Sequence, residues 1–185
     1  MPILEREPII YPDNLLDELV HQDPERRWRL LYTKARQEKS LARDLLQAKI
    51  PFYLPLVPQD RLVRNRRVRS YLPIFTSYVF LYGVEDEQSR SKKTNRICAA
   101  SLVEDQARLT KELTNIQRMV VADLPLTIES RLEPGERVRV KDGPFAGAEG
   151  EILRRKGKTI LVVAATLLQQ GVSVEIDDFL VEPLR

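Results

Sequence analysis

The spacing of apolar residues changes period several times along the chain, and each change predicts an element. Trp28–Thr33, WRLLYT, is a run of aromatic and large apolar residues that predicts a strand. In the following KARQEKSLARDLLQAKI, Leu41, Leu45 and Ala48 share one face, with Ala42 and Leu46 beside them. That spacing predicts an amphipathic helix, stopped by Pro51. Phe52–Pro58 predicts a second strand whose prolines favour an edge. RLVRNRRVR, Arg61–Arg69, has two short arms about Asn65 and predicts a basic hairpin. Ile74–Tyr82, aromatic and β-branched, predicts a third core strand. Residues 83–96 are polar and read as a connection, and Ile97–Val103 as one more strand. Leu109, Leu113, Ile116 and Val120 recur at helical steps and predict a helix over Asp105–Val121.

Both ends differ from this middle. Residues 1–25 carry Pro2, Pro8, Pro12 and Pro24 and read as a tail or a loosely attached short helix over Asn14–Val20, outside the core. Asp123–Glu133, followed by Pro134 and Gly135, is the expected domain boundary. Beyond it Val138 and Val140 alternate with Arg137, Arg139 and Lys141, and DGPFAG is a turn cluster. Glu151–Leu153, Thr159–Ala164 and Val172–Ile176 read as short strands, and such strands with glycine turns suit a small closed barrel. The expected fold is α+β. An extension (1–25) leads into an antiparallel sheet covered by helices (26–122), and a linker (123–133) joins that to a small all-β barrel (134–185).

Composition narrows the chemistry. The 185 residues are 43% hydrophobic and 31% charged, a globular balance. The formal net charge is only +3, so the clustering of arginines at 61–69 matters more than the total. A single cysteine, Cys98, excludes an intramolecular disulfide and a cysteine-based zinc site. The lone histidine, His21, lies in a polar stretch and reads as inert. No apolar run approaches the roughly 18 residues that span a bilayer, and Met1–Tyr11 lacks a signal-peptide core, so a cytoplasmic protein is expected. There is no phosphate-binding glycine loop, zinc pattern or nucleophile motif, and Asp177-Asp178 reads as a solvated turn. Neither catalysis nor a cofactor nor a metal is expected.

Several of these segments together resemble a known family. Trp28-x-Leu30-Leu31-Tyr32-Thr33-Lys34, Phe52-x-Leu54-Pro55, the basic hairpin and Pro73-Ile74-Phe75-Thr76-Ser77-Tyr78-Val79-Phe80 resemble the N-terminal domain of the NusG family and its specialised RfaH branch. Members commonly carry Pro-Gly or Pro-Asn where this chain has Thr76-Ser77. Pro134-Gly135-Glu136-x-Val138-x-Val140-x-x-Gly143-Pro144-Phe145-Ala146-Gly147-x-x-Gly150 is similar to a KOW motif of the SH3-like barrel type. The resemblance implies a monomeric regulator of transcription elongation that binds the clamp helices of RNA polymerase. These departures, Thr76-Ser77 and the N-terminal extension, together with the short two-domain plan suggest a specialised paralogue, and promotion of processive elongation and antitermination is the favoured role. The alternatives are a Rho-linked termination factor and a KOW-type RNA- or ribosome-binding protein.

The resemblance also implies sites. Tyr32, Phe75 and Tyr78 are the candidates for polymerase docking, with core packing as the competing reading for each. Lys34, Arg36 and Gln37 open the first helix, where the RfaH branch contacts non-template DNA. Arg61, Arg64, Arg66, Arg67 and Arg69 offer guanidinium forks to DNA or nascent RNA phosphates. The competing reading is of charges that protect a strand edge. In the barrel, Phe145, Leu168 and Gln170 are candidates for contacting Rho or a small-subunit ribosomal protein, though Phe145 between two glycines reads slightly better as a plug of the barrel core. The β-branched strands of the barrel predict that it does not switch to helix.

Overall fold

The computed structural model describes residues 7–17 and 23–184, with the backbone alone for Arg61, Val63 and Phe179. His21 and the second half of the helix expected over Asn14–Val20 lie outside the described residues. The chain divides into two compact units, one formed up to Leu56 and by Phe75–Gln106, the other by Val57–Ile74 and Ala107 onward.

The first unit is built on a five-stranded sheet. Its strands are β1 (Ile10–Tyr11), β2 (Arg27–Thr33), β3 (Phe52–Tyr53), β6 (Tyr78–Gly83) and β7 (Ile97–Leu102), in the order β1-β3-β6-β2-β7, all pairs antiparallel. Helix α1 (Glu38–Gln47) covers one face, where Leu41, Ala42 and Leu45 pack with Leu31, Phe52, Val79 and Leu81. Burying each large aliphatic side chain in such a cluster contributes about 1.5–3 kcal/mol. The helix ends before Pro51 is reached. Lys49 takes a left-handed φ of 54°, its N–H donates to the Leu46 carbonyl, and the Ile50 N–H donates to the Leu45 carbonyl. This is a Schellman stop, held by the packing of Ile50 in the same cluster.

Three expectations for this unit need correction. The N-terminal stretch is not outside the core: β1 pairs with β3, Leu15 is 0% exposed, and Ile9 and Tyr11 pack on the α1 cluster. It covers a sheet edge that would otherwise present unpaired backbone groups. The connection 83–96 contains helix α2 (Glu85–Lys92), which lies against β6 and β7. Its charges order it: acids open its first turn and bases close its last. Buried Glu87 accepts two hydrogen bonds of 3.0 Å from Arg26 and a third from the Val84 N–H. Finally, Ile74–Ser77 is not strand. The Tyr78 N–H donates to the Phe75 carbonyl across a turn in which Ser77 holds φ at 67°. The carboxylate of buried Glu38, at the start of α1, accepts the Ser77 N–H at 2.7 Å. That bond holds the turn without the glycine such a φ favours.

The second unit contains a hairpin, a helix and the barrel. Strands β4 (Leu56–Val63) and β5 (Arg66–Pro73) form the hairpin, longer than its basic core, so residues 56–58 belong to its first arm. Arg64 and Asn65 both take positive φ, 48° and 59°, as a two-residue type I′ turn requires. Helix α3 (Gln106–Val121) follows. The barrel strands are β8 (Thr127–Glu129), β9 (Glu136–Val140), β10 (Glu149–Arg155), β11 (Lys158–Ala165), β12 (Gln170–Glu175) and β13 (Val181–Pro183), in the order β13-β9-β10-β11-β12-β8. The segment expected as linker therefore carries a strand, β8, paired with β12 from Gly171↔Glu129 to Ser173↔Thr127. Buried Glu129 reinforces it, accepting from Arg155 at 2.8 Å and from the Ser173 hydroxyl. Gly150 is required for close approach, because a Cβ there would sit 2.3 Å from the Val162 carbonyl oxygen.

Candidate functional site

In the first unit, cross-strand register sets Trp28, Leu30 and Tyr32 of β2 opposite Tyr82, Phe80 and Tyr78 of β6. These side chains share the sheet face opposite α1. Burial along the face is graded. Trp28, Phe80 and Tyr82 are buried, whereas Tyr32 is 44% exposed and Tyr78 half-buried. The two tyrosine rings pack at 5.3 Å and 46°, next to a register shift in β2 between Tyr32 and Thr33. They form a small aromatic ledge at one end of the sheet.

Phe75 is not on that ledge. It is 1% exposed and packs edge-on against Phe80 at 5.4 Å, so it supports the face from inside and cannot meet a partner directly. On sequence it resembled the tyrosines because the turn through Thr76-Ser77, which removes it from the strand, depends on Glu38, a residue far away in sequence.

The start of α1 lies beside the loop that leads into β7. Lys34 is exposed, donating through Nζ to Asn95 at 3.0 Å, and Arg36 is exposed with φ at 61°. Gln37 is engaged: its carbonyl accepts from Arg96, whose guanidinium also pairs with Asp44 at 2.6 Å. Lys34 and Arg36 therefore present charge outward, and Gln37 orders the loop.

The hairpin arginines separate into two kinds. Arg69 pairs across the ribbon with Asp60 at 3.2 Å, and this bond and charge raise its pKa further. Arg64, Arg66 and Arg67 are exposed at the tip and make no ion pair or hydrogen bond with the described residues. The side chain of Arg61 is not described.

In the barrel, Phe145 is 5% exposed, a core plug and not a contact residue. Leu168 is half-buried in the turn joining β11 to β12 and Gln170 is half-buried at the start of β12, while within the turn Leu167 is the exposed apolar residue and Gln169 takes a left-handed φ of 53°. The turn is anchored from α3, whose Glu112 carboxylate accepts from the Thr166 N–H at 3.0 Å and the Thr166 hydroxyl at 2.6 Å. Lys111 reaches Glu149 at 2.6 Å, and Arg118 donates to the Gly147 carbonyl at 2.7 Å.

Comparison with known proteins gives this arrangement its family. A family model described as "Transcription termination factor nusG" matches residues 26–128, more than half of the chain, and a KOW motif model matches 134–167. The chain belongs to the NusG family. Members are transcription elongation factors, and that role extends to this chain. No curated protein matches it. Among solved structures it is similar to one described as the crystal structure of an MjSpt4:Spt5 complex in conformation B. The identity is 15%, over 85% of this chain and 96% of the other, with a TM-score of 0.28, too loose to support any conclusion. Among the described residues no helix is long and apolar enough to cross a membrane.

The NusG-family reading of the sequence alone overlooked the residues that position these surfaces. Glu38, Asn95, Arg96 and Glu112 are polar and fall where periodicity is silent. Glu38 opens a helix and Asn95 and Arg96 lie in a loop between apolar runs, positions where polar side chains hold neighbouring segments, whereas Glu112, in the middle of α3, carried no such signal.

Proposed function

We propose that this NusG-family chain is a specialised paralogue that binds the clamp helices of RNA polymerase and promotes processive elongation and antitermination. The observation that carries the docking is the exposed Tyr32–Tyr78 ledge on an otherwise buried aromatic face. Tyrosine offers large contact area at low entropic cost, and such anchors dominate binding energy. Lys34 and Arg36 beside the ledge suit the non-template strand, and Arg64, Arg66 and Arg67 suit DNA or RNA phosphates. No bond is made or broken. Binding shifts a population of paused and active polymerase states. Residues 26–122 serve polymerase, and residues 134–185 recruit Rho or a small-subunit ribosomal protein through the turn holding Leu167 and Leu168 and the adjoining Gln170. One chain carrying both raises the effective concentration of the second partner.

Retention of purified RNA polymerase by the full chain tests the docking. Tyr32→Ala and Tyr78→Ala are each expected to weaken it roughly 30-fold, as loss of an interface anchor does. Unchanged retention in both variants means that the ledge is not the docking surface. Transcription across a terminator, with and without Rho, decides the sign: read-through must rise if antitermination is correct.

A further inference from the structure

The hairpin carries one feature that phosphate binding does not use. Leu62 is 80% exposed, two residues before the turn. The Asp60–Arg69 pair and the Ser70 hydroxyl bond to the Gln59 carbonyl, 3.2 Å, fix the register of the ribbon. Counting from these, Leu62 stands opposite Arg67, with Tyr71, itself 36% exposed, on the same face nearer the base. An edge guarded only against strand pairing would carry charge at 62.

We infer that the β4–β5 hairpin is an arm for duplex DNA, in which Leu62 wedges between base pairs while Arg64, Arg66 and Arg67 hold the flanking phosphates. The inference rests on the reading of this hairpin as a nucleic-acid contact and names its ligand. Three observations select duplex over single strand. A two-stranded ribbon fits a DNA groove, and its exposed part from Gln59 to the turn is about 17 Å long at roughly 3.3 Å per residue. The exposed apolar residues nearest the turn are aliphatic, Leu62 on one face and Val68 on the other, with the hairpin's one exposed aromatic, Tyr71, nearer the base, and the stacking platforms that hold single strands are aromatic. Aliphatic side chains flanked by arginine are the usual wedges at distorted base steps. Among the described residues the three tip arginines have no carboxylate of their own to release, so each is ready for a phosphate.

The test uses the full chain and a fluorescent duplex with 2-aminopurine at its centre. Wild-type protein is expected to bind with a steep salt dependence and to raise 2-aminopurine emission as the base unstacks. Leu62→Ala keeps the salt slope and loses most of that rise, and Leu62→Phe keeps both. Arg64→Ala/Arg66→Ala/Arg67→Ala reduces the slope by about 2–3, close to one phosphate for each arginine. Binding with no change in emission overturns the wedge and leaves the phosphate contact standing. Binding that ignores the triple variant, or no duplex binding at all, overturns the nucleic-acid reading of the hairpin itself. If Leu62→Ala leaves emission intact and instead lowers polymerase retention, Leu62 meets protein and the wedge is wrong.

Discussion

The hairpin tip and the barrel wall are both rich in cations, yet they use them in opposite ways. Across the barrel, Arg139 meets Glu149 at 2.8 Å, Arg155 meets Glu129 at 2.8 Å, Arg154 meets Asp178 at 3.0 Å and Lys158 meets Glu175 at 2.6 Å. Arg139 and Glu149 are direct cross-strand neighbours in the β9–β10 register. At the hairpin tip, Arg64, Arg66 and Arg67 have no such carboxylate among the described residues. A cation whose neighbouring strand supplies an acid helps fix register, whereas one without an acid is available to an external anion. Local pairing, not arginine count, distinguishes a structural charge from a binding one.

The largest expected effect attacks the barrel side of that contrast. Glu129→Ala removes the shared acceptor of Arg155 and the buried Ser173 hydroxyl, and should cost about 2–3 kcal/mol in urea denaturation. Its DNA affinity should be unchanged. If stability is unaffected, the barrel pairs are incidental and the contrast collapses.

Next comes a charge that is structural without a cationic partner among the described residues. Glu38→Ala leaves the Ser77 N–H without its acceptor and should cost about 1–3 kcal/mol. Because the turn carries the chain into Tyr78, polymerase retention should fall with it. Retention at the wild-type level in a destabilised variant would detach the turn from the ledge.

A smaller effect concerns acid. Burial pushes the Glu149 carboxyl up, but its bonds to Lys111 and Arg139 outweigh that and hold it below the usual carboxylate value. A folded value below the unfolded one means that the contribution is complete above about pH 4.5 and is lost as pH falls through the folded value. With Lys111 and Arg139 largely in solvent, the size is under about 1 kcal/mol. The melting temperature should decline on acidification, and Glu149→Gln should flatten that slope. A variant with the wild-type slope assigns the decline to other carboxylates.

The smallest effect is on the hairpin itself. Arg64→Ala, Arg66→Ala and Arg67→Ala should each change stability by less than about 0.5 kcal/mol, measured by thermal melting. A larger loss would mean that the tip arginines hold the fold after all.

Much of the fold was legible because local periodicity carries it. The strand at Trp28–Thr33, helix α1, the turn at Asn65 and the alternation of Val138 and Val140 follow directly from spacing. Helix α2 was not legible, since EDEQSRSK has no apolar period and is anchored by Glu87 and Arg26 from distant parts of the chain. Strand β8 was hidden for a similar reason: TIE among prolines looks like a linker until β12 offers it an edge. At the candidate site, residue types were readable but exposure was not. Tyr32, Phe75 and Tyr78 look alike in sequence, and only two of them reach the surface.

The sequence by itself determined the family, the alternation that builds each strand, the helical stripe of α1 and the concentration of arginine at 61–69. The tertiary structure alone decided which apolar residues remain in solvent, which arginines have partners, and that Leu15 belongs to the core. The physical reason is the same in each case. Periodicity is a property of neighbours along the chain. Burial and charge pairing depend on what another segment brings into contact, and no local pattern records which segment that will be.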